Sequence, residues 1–311
     1  MDFFNSEIIK TTDDILKIKS DGDLCFAMLT DSWISDEGEQ TCANIKAVDE
    51  KIHFDFICHL GNIIIGNNPK RPSMEIMSNE LDMYRSALES RVLFTIPGQN
   101  DGWRDERYLG QLALGIMTDE AWCDATKFID SYENVSRPSN KPYFYVDIPQ
   151  NNTRLVFLCA YHYQHDTEIE FFQKYVGFDS QQVKWLKTEA LKNCEGKDVL
   201  VFSHKIPMSR FETGSDPYIY KGNSTEAVLA VLQGANKAGA NVLCYFGGGY
   251  GIDENICVGG INFSVMGNQL AKGRKLGTVE QDLWDAVVVK KKERKIYLFR
   301  FGAGEDRVID F

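Results

Sequence analysis

Residues 24–31 read Leu-Cys-Phe-Ala-Met-Leu-Thr-Asp, an unbroken apolar run that stops on a carboxylate. A run this short and this uniformly apolar is a strand buried on both faces, and a charge at its carboxyl end marks a loop that leaves the core. Residues 41–53 follow with helical spacing through Ala43, Ala47 and Val48, and the next apolar run, 54–60, stops at Gly61. Strand, helix and strand in that order make a β-α-β unit, and the unit recurs with a helix near 73–90 and a strand over 91–96 that ends at Pro97-Gly98. Such alternation predicts an α/β fold with mostly parallel central sheets sandwiched by helices.

Further along, Tyr143–Ile148 and Arg154–Ala160 are strand-like around the turn-rich segment Pro149-Gln150-Asn151-Asn152-Thr153, which predicts a β-hairpin. A helix over 179–194 leads into strand 199–202, which ends at Ser203-His204. A helix over 224–239 leads into strand 241–246 and then Gly247-Gly248-Gly249-Tyr250-Gly251. Three closing strands near 261–266, 284–290 and 295–301 predict an antiparallel C-terminal part. Residues 1–21 are expected to form an N-terminal extension with a short amphipathic helix, and 22–311 a single domain.

Composition narrows the function. Forty-five acidic residues against thirty-four basic ones give a net charge of −11, a field that repels phosphate backbones and anionic headgroups, so neither nucleic acid nor membrane is an expected partner. No apolar stretch approaches the roughly 20 residues that cross a bilayer. The N-terminus carries no targeting pattern, and cytoplasmic residence is the expectation. The eight cysteines contain no C-x-x-C pair, and Cys58, Cys159 and Cys244 sit inside apolar runs, as buried reduced thiols do.

Five strands end in short loops at one predicted sheet edge: Thr30-Asp31-Ser32-Trp33, Leu60-Gly61-Asn62, Pro97-Gly98-Gln99-Asn100-Asp101, Ser203-His204 and Phe246-Gly247-Gly248-Gly249-Tyr250. Carboxyl ends of strands are where open α/β sheets bind ligands. The order and spacing of these loops resemble the calcineurin-like metallophosphoesterases, whose motifs run D-x-H, G-D, G-N-H-D or G-N-H-E, a lone His after a strand, and G-H-x-H. The tail segments 278–285 and 300–307 are similar to a bacterial or phage branch of that family.

What the resemblance implies is a two-metal site in which carboxylates and imidazoles clamp a phosphoryl group and lower the pKa of a bound water. By that pattern Asp31 retains the first carboxylate and His204 the lone imidazole. The other positions depart from it. Trp33 stands at the His of D-x-H and Asn62 at the bridging Asp. Gln99 stands at the ligand Asn, Asn100 at the acid His, and Gly248 and Tyr250 at the two His of G-H-x-H, while Asp101 keeps the trailing acidic position. The expectation is a divergent phosphoesterase that has lost two-metal catalysis and binds a small phosphorylated ligand or a protein partner in the old cleft. No tightly bound cofactor is expected, and at most one weakly held Mg²⁺, Mn²⁺ or Ca²⁺, since neutral amide oxygens hold transition metals less well than imidazole. The alternative is an active metal-dependent phosphoesterase or phosphodiesterase with a rewired site, one metal being held by Asp31, Asp101 and His204 with help from His162 or His165 in Tyr161-His162-Tyr163-Gln164-His165-Asp166.

Other motifs argue for less. The run 247–251 lacks the G-K-[ST] ending of a phosphate-binding loop. Ser203 and His204 are neighbours on a strand and point to opposite faces, which disfavours a serine nucleophile. His59 reads as a packed histidine, and the basic run 290–295 as a solvated turn.

Overall fold

The structure is a computed structural model and describes residues 2–32, 36–63, 74–89, 91–98, 101, 118–166, 171–207, 224–249, 251–267 and 275–311. In chain order the first elements are helix α1 (Asp2–Ile18), strand β1 (Leu24–Leu29), α2 (Asp36–Ile52), β2 (Phe56–His59), α3 (Met74–Ala87), β3 (Leu93–Thr95), α4 (Asp119–Ala125), β4 (Val135–Ser136), β5 (Phe144–Ile148) and β6 (Thr153–Phe157). There follow β7 (Tyr161–Asp166), β8 (Phe171–Val176), α5 (Ser180–Trp185, extended by a π-helical turn over Leu186–Ala190), β9 (Asp198–Ser203), α6 (Ser224–Lys237) and β10 (Asn241–Gly247). The chain ends with β11 (Glu254–Val258), β12 (Ile261–Val265), β13 (Leu283–Lys290), β14 (Lys295–Gly302) and β15 (Arg307–Asp310).

The strands build two facing sheets, one ordered β15-β14-β13-β1-β2-β3 and the other β11-β12-β10-β9-β6-β5-β4, with β7-β8 as a separate ribbon. Parallel pairing joins β1, β2 and β3 in the first sheet and β6, β9, β10 and β12 in the second. Antiparallel strands flank both. The expected α/β class and the antiparallel C-terminal part are both present, and the antiparallel margins extend to β4, β5 and β11 as well.

Burial on two faces explains why the strands read as continuous apolar runs. Along β1, Leu24, Phe26 and Met28 face the opposite sheet, while Cys25, Ala27 and Leu29 face the helices. The space between the sheets is filled largely by phenylalanines: Phe26 meets Phe202 edge-on at 5.9 Å, and Phe94 lies 5.4 Å from Phe157. On the outer face of the first sheet, α2 presents Cys42, Ile45, Val48 and Ile52 at helical spacing. Helix α1 lies against α2 and β14 and buries Phe4 and Ile15, with the Phe4 ring 6.3 Å from that of Phe301. The second sheet is covered by α5 and α6, through Trp185, Leu186, Val228 and Leu232.

The predicted strands and the hairpin at 143–160 are present with ends shifted by a few residues. The segment 161–166, which lies outside the predicted strands, is strand β7, because it finds an antiparallel partner in β8. The basic run is not simply solvated: Lys290 Nζ donates to Asp23 Oδ2 at 2.8 Å and to Ser20 Oγ at 2.9 Å, and Lys291 pairs with Asp198 at 2.6 Å. All eight cysteines are free thiols, and all but Cys257 are buried.

Candidate functional site

The carboxyl ends of β1, β2, β3, β9 and β10 lie at one edge of the two sheets, and backbone bonds tie their loops together. Leu60 N–H donates to Leu29 O at 2.8 Å and Asp31 N–H to Gly61 O at 3.0 Å. Three positions in the turns after β1 and β2 use left-handed backbone: Asp31 (φ 56°), Gly61 (φ 99°) and Asn62 (φ 59°). Asp and Asn tolerate this region better than other residues with a Cβ, and such conformations concentrate where a loop aims a side chain. At Gly61 the reason is also steric, since a Cβ there would lie 2.6 Å from Gly98 N.

These turns bring Asp31, Asn62 and His204 into one buried cluster, exposed by 4%, 3% and 1%. His204 Nδ1 lies 2.7 Å from Leu60 O, so Nδ1 carries the proton and donates, leaving the Nε2 lone pair aimed at Asn62. Asn62 Nδ2 donates to Asp31 Oδ1 at 2.5 Å and lies 3.3 Å from His204 Nε2. Thr30 Oγ1 donates to Asp31 Oδ2 at 3.0 Å. Burial pushes the Asp31 carboxyl up to about 6, and the charge of Asp101 adds to the rise, against hydrogen bonds from Asn62, Thr30 and the Gly249 N–H.

Asp101 belongs to the same edge, but it faces backbone. Its Oδ2 accepts from Asn62 N at 2.7 Å and from Gly98 N at 2.6 Å, which fixes the turn after β3. The loop after β10 closes over the cluster from the other sheet. A Cβ at Gly248 would meet Thr30 Oγ1 at 2.3 Å, and one at Gly249 (φ +70°) would meet His204 Nε2 at 2.4 Å. An imidazole at Gly248 therefore has no room in this arrangement.

Among the described residues, no group of three His, Cys, Asp or Glu side chains converges as a cation would need. Among the described residues, the set that converges at Asn62, one carboxylate and one imidazole with an amide N–H₂ between them, does not by itself fit a two-metal centre. His59 is separate from it: Gly61 N–H donates to its Nδ1 at 3.1 Å, its Nε2 faces Ser32 Oγ at 2.7 Å, and burial holds its pKa well below the usual range. Trp33, Gln99, Asn100 and Tyr250 lie outside the described residues. The backbone of His162 and His165 runs in β7, and their side chains lie outside the described part.

The sequence alone did not point to Thr30, to the Leu60 carbonyl that orients His204, or to the Gly249 N–H. Backbone groups leave no compositional trace. The Gly-rich loop was the available signal for the third of these, because glycine is what lets one backbone approach another closely.

No protein-family model matches this sequence, and no curated protein matches it. The fold has clear structural neighbours. It superposes on the crystal structure of a dimetal phosphatase from Danio rerio with a TM-score of 0.64 and 16% identity, over 93% of this chain and 99% of that chain. A putative 5'-nucleotidase from Staphylococcus aureus matches less closely, with a TM-score of 0.46 and 12% identity over 93% of this chain and 54% of that chain. Two facing mixed sheets with helices outside, matched end to end by the first of these, define the metallophosphoesterase fold.

Proposed function

We propose that this chain is a non-catalytic protein of metallophosphoesterase fold, which works by binding a partner protein. The observation that supports this most directly is the pairing at the strand-end edge: Asp31 and His204, which keep the first carboxylate and the lone imidazole of the motif pattern, are buried and bonded to the Asn62 amide. A two-metal hydrolase keeps such groups available to cations and places a carboxylate between them. Here the same groups act as a cross-link between the loops of two sheets. The bonds from Asp101 to Asn62 and Gly98 extend that cross-link to the loop after β3.

A partner recognised by such a platform is a protein rather than nucleic acid or an anionic membrane, given the net charge of −11. Among the described residues no helix is long and apolar enough to cross a membrane, and cytoplasmic residence is part of the reading. The test is hydrolysis of p-nitrophenyl phosphate and bis-p-nitrophenyl phosphate by the full chain with Mn²⁺, Mg²⁺, Zn²⁺ or Ca²⁺. The expected result is no turnover above buffer, in the wild type or in His204→Ala. Turnover in the wild type that His204→Ala abolishes would establish an active, rewired site instead.

A further inference from the structure

We infer that the Asn62 carboxamide is an internal stand-in for a cation, holding Asp31 and His204 together through its own two N–H bonds and closing that position to divalent metal. The geometry is specific. One nitrogen, Asn62 Nδ2, lies 2.5 Å from Asp31 Oδ1 and 3.3 Å from His204 Nε2, and it has one hydrogen for each. The two groups it faces are both acceptors. His204 cannot supply a proton from Nε2 while Nδ1 donates to Leu60 O at 2.7 Å, short of becoming a buried cation. Without a donor between them, a carboxylate oxygen and an imidazole lone pair would face each other at one buried point, lone pair against lone pair.

Converging carboxylate and imidazole lone pairs are elsewhere satisfied by a metal ion, and a backbone carbonyl on the far nitrogen is the usual device that orients a ligating imidazole. The Leu60 carbonyl plays that part here, yet the oriented lone pair meets an N–H. The chain has thus kept a ligand-like orientation of His204 and supplied the positive end of the interaction from its own amide. The inference shares with the non-catalytic reading only the claim that the wild-type position takes no metal.

Replacing Asn62 by Asp removes both donors and adds a carboxylate beside Asp31 and Asp101. The metal-free protein should then be weakened, and a divalent cation should restore it. The experiment is the thermal midpoint of the full chain, wild type against Asn62→Asp and Asn62→Leu, each with and without millimolar Mn²⁺. The wild type is expected not to respond to Mn²⁺. Asn62→Asp should melt at least about 5 °C lower and recover most of that with Mn²⁺, and Asn62→Leu should melt lower without recovery.

A wild-type midpoint that rises with Mn²⁺ overturns the inference, while the non-catalytic reading falls only if hydrolysis accompanies it. An Asn62→Asp protein with no Mn²⁺ response overturns the cation equivalence. Should that variant not fold, Asn62→Leu carries the test, and a midpoint equal to wild type sinks the proposal.

Discussion

Two buried polar clusters near one edge of the sheets are balanced by different means. In the first, Arg300 on β14 donates from Nε to Asp285 Oδ1 at 2.8 Å and from Nη1 and Nη2 to Asp253 at 2.8 and 2.7 Å, and Arg307 reaches both aspartates. Burial pushes the Asp253 carboxyl up, but the two arginines more than reverse this and hold it below its usual range. Charge answers charge. In the second cluster, Asp31 and Asp101 meet only amide, hydroxyl and backbone N–H donors among the partners described above, and Asp31 is left with its pKa raised. Dipoles answer charge. The first arrangement is a clasp between β13, β14, β15 and the 251–253 turn; the second is held, in the bonds given above, by dipoles aimed at Asp31 and Asp101.

The strongest way to break this contrast is Asp285→Ala, which leaves two nearly buried guanidinium groups short of a partner. It should cost about 3–5 kcal/mol, measured by urea denaturation. A loss below 1 kcal/mol, on that same scale, would mean the cluster is wetter than its burial implies.

Next is the pH dependence of Asp31. A carboxyl raised on folding from its ordinary value to about 6 favours the folded state fully below the ordinary value, and that contribution is lost as pH rises through about 6. Stability between pH 4 and 7 should therefore carry a declining component of about 2–3 kcal/mol, absent in Asp31→Asn. Equal slopes for the two proteins would show that Asp31 does not titrate there.

Gly249→Ala should cost about 1–3 kcal/mol, because the added methyl meets His204 and the left-handed backbone disfavours a side chain. A neutral outcome would show that the loop after β10 can lift off His204. The smallest effect belongs to Lys275→Ala, which breaks the exposed Lys275–Glu280 pair at 2.8 Å and should change stability by less than about 0.5 kcal/mol.

Much of the fold was readable because it depends on runs of residues. The strands at 24–29, 56–59, 199–203 and 241–247 are buried on both faces and so are apolar throughout, and the helices between them carry a helical period. Strands β4, β7 and β15 were not legible, since short margins and ribbons draw their regularity from a partner strand. At the candidate site, the loop order gave the identities of Asp31, Asn62 and His204. It gave no hint that Asn62 bonds to both of the others, because residue 204 lies 142 positions away in sequence. The charged clasp had a faint trace: Arg300 sits between Phe299 and Phe301 in an apolar strand, which calls for a buried partner.

The most direct test of the central claim is a crystal structure of the wild-type chain grown with Mn²⁺ and recorded with anomalous scattering. The account predicts the Asn62 amide between Asp31 and His204, with no anomalous peak there. A Mn²⁺ peak within bonding distance of Asp31 and His204, with the Asn62 amide turned aside, would contradict it.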